Sequence, residues 1–64
     1  MRRLRKLREA RGWSRARLAR EAEMSASDVG KIEAGRLVPY ESQARKLASA
    51  LGVEISELIG KSSR

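Results

Sequence analysis

Apolar residues recur along this chain at intervals of three and four, and nowhere do they alternate with polar ones over the length of a strand. Leu4, Leu7 and Ala10 form a first helical series that ends before Gly12. Leu18, Ala19 and Ala22 follow Ser14, and Val29 with Ile32 stand between Ser25 and Gly35. Ala44, Leu47, Ala48 and Leu51 make the i, i+3, i+4, i+7 stripe of an amphipathic helix, which Gly52 stops. A short last unit runs from Ile55 to Ile59 and closes at Gly60. The pattern predicts an all-α fold, a compact bundle of about five short helices joined by tight turns.

Two of the helix starts carry their own capping chemistry. Ser14 is placed to cap the second helix, with Trp13 and Leu18 at the two positions of a hydrophobic staple. Ser25-Ala26-Ser27-Asp28 reads as a capping box with Asp in place of Glu, and Met24 with Val29 repeats the staple. Residues 22–25 leave room only for a tight turn. A helix, a short turn and a second capped helix form a helix-turn-helix, here over residues 15–34 of a single domain spanning 1–60, with 61–64 as a polar tail.

Composition narrows the chemistry. The chain has 64 residues, no Cys and no His, so disulfides, thiolate nucleophiles, His-based triads and the common zinc sites are excluded. Its Ser, Lys, Asp and Glu residues form no recognisable activated arrangement, and the expectation is a non-enzyme without metal or cofactor. No apolar run approaches the roughly 18 residues of a membrane span, and no signal-peptide core is evident. A soluble, cytoplasmic protein is expected. A membrane-surface helix built on residues 1–11 would have only Leu4, Leu7 and Ala10 as its apolar face, too narrow for strong insertion.

Charge adds a direction. Of fifteen basic and eight acidic residues, nine basic ones lie in residues 1–20 against Glu9 alone, a local net charge of +8. The remaining 44 residues carry six basic and seven acidic groups, a net −1. Such a block attracts a polyanion.

In order and spacing the chain resembles the phage-repressor and Cro type of helix-turn-helix DNA-binding domain, also called the XRE family. The likeness rests on Leu4-Arg5-Lys6-Leu7-Arg8, Trp13-Ser14 with Leu18-Ala19, Met24-Ser25, Val29-Gly30-Lys31-Ile32-Glu33-Ala34-Gly35, Pro39, and Leu47-Ala48-Ser49-Ala50-Leu51-Gly52-Val53 leading to Glu57-Leu58-Ile59. It covers nearly the whole chain. One departure is Glu23, which stands where the family usually has a glycine in left-handed conformation. The family also often places glutamine where this chain has Ala26 and Arg15.

The resemblance implies a sequence-specific double-stranded DNA-binding regulator, repressor-like, whose recognition helix over residues 26–34 enters the major groove. Carried over residue by residue, the base-facing positions are Ala26, Ser27, Gly30 and Lys31, with Asp28 at the margin. Each has an ordinary alternative. Ser27 and Lys31 suit any solvated helix surface, Asp28 suits the cap, and Gly30, which costs a helix about 1 kcal/mol, serves close approach either to DNA or to another helix. The phosphate-contacting set is Arg5, Arg8, Ser14, Arg15, Arg36 and Tyr40, with a ring part-buried beside Pro39 as the alternative for Tyr40.

The resemblance also implies an ion pair between Arg8 and Glu33, either purely structural or extended by Arg8 to a phosphate. Trp13 is expected in the core through its staple position, with base stacking as the alternative. One such domain reads a half-site, so a homodimer is expected, joined through the apolar C-terminal region over residues 53–59. A different class of function is a protein-interaction module, such as the antitoxin partner of a toxin, with DNA binding secondary.

Overall fold

The computed structural model describes residues 2–59, and of Ile59 the backbone alone. Five helices follow one another: α1 (Arg2–Ala10), α2 (Arg15–Glu21), α3 (Ala26–Glu33), α4 (Glu41–Leu51) and α5 (Ile55–Ile59). Among the described residues there is no strand, so the all-α architecture agrees with the periodicity. The predicted stop at Gly60 and the tail over 61–64 lie outside the described residues.

The serine caps form as expected, but the Asp28 carboxylate does not return a bond to the Ser25 amide, so the expected capping box is half formed. Ser14 and Ser25, both with extended backbone, accept hydrogen bonds at Oγ from the amides of Arg17 at 3.0 Å and Asp28 at 3.1 Å. Each bond satisfies one of the amides left over in a first helical turn. The opposite half of a capping box occurs further on, where Gln43 Oε1 accepts from the Tyr40 amide at 2.9 Å.

The helix ends share one geometry. In α1 the amides of Gly12 and Trp13 return to the carbonyls of Glu9 and Arg8, and in α3 those of Gly35 and Arg36 return to Ile32 and Lys31. These are the paired bonds of the Schellman motif, which needs a left-handed residue at its pivot. Gly12 and Gly35 supply it, with φ of 73° and 80°. In α2 the same pair of bonds, Glu23 to Arg20 and Met24 to Ala19, turns on Glu23 with φ 58°, the one positive-φ residue other than glycine among those described.

The core gathers Leu4, Leu18, Ala19, Ala22, Val29, Ile32, Leu47, Ala48, Leu51 and Leu58. α2 packs on α3 and α4, while α1 bridges α3 and α5. The buried stripe of α1 differs from the expected one. Ala10 is exposed, and Arg8, one turn beyond Leu4, is buried in its place. The C-terminal apolar residues are also used internally: Leu58 is fully buried, and Val53 and Ile55 pack against the core. Most of the surface expected to join two copies therefore closes the monomer.

Trp13 secures the entry to α2. Its half-buried ring packs on the core as the staple position implied, and its faces meet the guanidinium groups of Arg11 and Arg17 at 5.1 and 4.8 Å from the ring centre. Its carbonyl accepts from Arg8 Nη1 at 2.7 Å. Arg11 Nη2 in turn donates to the Leu51 carbonyl at 2.8 Å, tying the α1–α2 turn to the end of α4.

Candidate nucleic-acid interface

The position of the interface follows from what α3 buries. Val29 and Ile32 face the core, which turns Ala26, Gly30 and Ala34 outward as an i, i+4, i+8 line. None of the three carries more than a methyl group, so a shallow trough runs the length of the helix. Ser27 and Lys31, one turn apart, flank it.

Ala26, Ser27, Gly30 and Lys31 share one surface depression with Ala34 and with Arg15 and Arg36 from outside the helix. A second depression adjoins it, lined by Arg5, Arg15, Gly30, Glu33 and Ala34. Four of the five residues expected to face bases thus lie beside three of the cations expected to hold phosphate. Ala34 was not foreseen at this surface. Its spacing of four from Gly30 is the signal that identifies it.

The other expected residues lie around this face or away from it. Asp28, half-buried, is absent from the lining of either depression, and its amide serves the Ser25 cap. Ser14 caps α2 from an exposed position. Tyr40 is 77% exposed, so its ring is not part-buried beside Pro39. Arg36 is held to α3 through its amide, which bonds the Lys31 carbonyl at 2.8 Å. Arg2, Arg3 and Lys6 gather around other depressions, one of which includes Glu57 of α5. Not all of the N-terminal charge converges on α3.

Arg8 stands apart from the phosphate set. Its Nε donates to Glu33 Oε2 at 2.6 Å and its Nη2 to Oε1 at 3.1 Å, while Nη1 is engaged by Trp13. The two side chains are 9% and 5% exposed. With its guanidinium turned inward on three contacts, Arg8 offers almost no surface to a phosphate, and the geometry is that of the structural alternative. The hydrogen bond to Glu33 raises the Arg8 pKa above the ordinary arginine value, burial opposes the rise, and the charges of Glu33 and Glu9 add to it. Pairing with Arg8 also neutralises a carboxylate that would otherwise repel a polyanion at this face.

At Gly30 one of the two alternatives, close packing against another helix, is removed. A Cβ built there would meet only the Arg15 Cδ, at 3.7 Å, an ordinary contact. No neighbouring helix backbone requires glycine at this position.

No helix among the described residues is long and apolar enough to cross a membrane. Comparison with curated proteins and with solved structures returns no match. A family model described as a helix-turn-helix domain matches residues 2–58, spanning α1 to the penultimate residue of α5. That match takes in the capped α2–turn–α3 unit and the cation-ringed face of α3, and by it the chain belongs to the helix-turn-helix domain family.

Proposed function

We propose that the domain is a sequence-specific double-stranded DNA-binding transcriptional regulator of the repressor type, acting in the cytoplasm as a homodimer with α3 in the major groove. The observation that carries this reading is the line of Ala26, Gly30 and Ala34, which itself carries nothing larger than a methyl group, with the Arg15 stem beside Gly30 and Arg5, Arg36 and Lys31 around it. Small side chains on the helix face let base edges approach, and Arg5 and Arg36 hold the backbone on either side. Ala26 meets a thymine methyl, Ser27 donates or accepts, and Lys31 reaches guanine O6 and N7. Arg5, Ser14, Arg36 and Tyr40 hold phosphates. The exposed Arg5–Glu9 pair at 3.0 Å is weak in water and yields readily to a phosphate. Arg8 acts indirectly, by fixing Glu33.

Two copies related by a two-fold axis would present their α3 helices about 34 Å apart, to half-sites one helical turn apart. Among the described side chains of the C-terminal region, Val53 and Ile55, both only half-buried, are the apolar ones still accessible to a second copy. Selection from a random duplex library tests the reading: a palindromic site with that spacing is expected, and failure to enrich any sequence overturns it.

One observation favours a protein-interaction module instead. Val38 and Tyr40, two residues apart in the α3–α4 loop, are 85% and 77% exposed. A stoichiometric protein partner that is lost on Val38→Asp, with no duplex selected, is the result that would establish this second reading.

A further inference from the structure

Arg15 lies against the exposed face of α3. It is the first residue of α2, yet its stem crosses to α3 and lies against Gly30, the middle of the bare line. It is the one residue outside α3 and its end that lines both depressions on that face along with Gly30 and Ala34. Its Nε stands 3.7 Å from Glu33 Oε1, too long for a hydrogen bond but close enough to orient a cation, and the side chain remains 60% exposed.

The recognition helix itself is short of readers. Along its outward line Ala26, Gly30 and Ala34 supply no polar side chain, leaving Ser27 and Lys31 to one flank. Arg15 fills that gap from the neighbouring helix. Glu33, already neutralised by Arg8, faces Arg15 from the Nε side. The two Nη groups at the tip then form a planar fork, and the acceptor pair in the major groove that such a fork matches is O6 and N7 of guanine.

We propose that Arg15 is a specificity-determining residue that reads a guanine across the Ala26–Gly30–Ala34 trough, not a phosphate clamp. The inference rests on the DNA-binding reading above, and one set of measurements separates the two. Library selection with the wild-type domain is repeated with Arg15→Gln and with Arg15→Lys, which keeps the charge but loses the fork. Matching melting curves check that each variant is folded.

In each half-site the wild type is expected to select a guanine distinct from the one read by Lys31. Arg15→Gln is expected to lose that preference and Arg15→Lys, still a donor but without the fork, to weaken it, while the other positions are unchanged. On the selected duplex Arg15→Gln is expected to bind roughly 5- to 150-fold more weakly, the range of one bidentate base contact. 7-Deazaguanine at that position, which removes the N7 acceptor, should weaken the wild type and leave Arg15→Gln unaffected. A loss that is equal on all duplexes, with a salt slope shallower by about one per protomer, would make Arg15 a phosphate contact and overturn the inference while leaving the DNA-binding reading intact. If the wild type enriches no sequence, both fall together.

Discussion

Arg8 and Glu33 join α1 to the last turn of α3 through two parallel hydrogen bonds, at 2.6 and 3.1 Å, with both side chains almost wholly withdrawn from solvent. Because the partner left behind would be a buried unpaired charge, Glu33→Ala is expected to cost about 3 kcal/mol. In so small a domain that is a large part of the total stability. Chemical denaturation measures it, and a loss under about 1 kcal/mol would mean that the pair behaves as an exposed one. The Arg8 pKa is raised in the folded state, so its contribution is complete below the unfolded arginine pKa and is lost only as pH rises through the still higher folded value. The stability difference between Arg8→Ala and wild type should therefore stay constant from about pH 7 to pH 10.

Glu23 occupies the pivot that glycine holds at the ends of α1 and α3, with φ 58°. Left-handed backbone costs a residue with a Cβ roughly 1 kcal/mol relative to glycine, partly offset by the greater freedom of glycine in the unfolded chain. Glu23→Gly is expected to stabilise the domain by about 0.5 to 1 kcal/mol, a rise in Tm of about 3 to 6 °C. An unchanged or lower Tm contradicts the strain at this turn.

At Gly30 stability and binding are expected to move in opposite directions. The space around it admits a methyl group, and alanine is the better helix former by about 1 kcal/mol. Gly30→Ala should raise Tm while weakening affinity for the selected duplex, since the methyl stands where base edges approach. Equal affinity with raised Tm would show that DNA does not approach the backbone there.

On the proposed DNA-binding reading, Tyr40 and Arg36 would make two kinds of phosphate contact. If each protomer neutralises phosphates through Arg5 and Arg36, four in the dimer, log K against log salt should have a slope of about −4. Arg36→Ala should make that slope shallower by about one per protomer. Tyr40→Phe removes a neutral donor, so it should weaken binding to all duplexes alike with the slope and Tm unchanged. A Tyr40→Phe domain that binds as tightly as wild type removes Tyr40 from the contact set.

Local rules made the helices legible in advance, because Ser14, Ser25, Gly12, Gly35 and Gly52 act on residues only a turn away. The outward face of α3 was legible for the same reason: once Val29 and Ile32 are assigned to the core, Ser27, Gly30 and Lys31 have one side left. Long-range choices were not. By periodicity Ala10 competes with Arg8 for the buried side of α1, and only Glu33, 25 residues away, decides in favour of the charged residue. Leu58 looked like spare apolar surface because nothing near it in sequence reveals that α1 and α4 close over it. The path of the Arg15 stem over Gly30 likewise depends on how α2 crosses α3, a relation that no spacing within either helix encodes.

Trp13 is the single tryptophan of the chain, and three separate segments determine its surroundings: α1 through Arg8, the following turn through Arg11, and α2 through Arg17. Unfolding removes all three at once, whereas a shift of α2 alone would withdraw only Arg17 from the ring. The domain thus carries its own fluorophore at the joint between α1 and the helix-turn-helix. Its emission can distinguish a molecule that has come apart from one whose helix-turn-helix has merely moved.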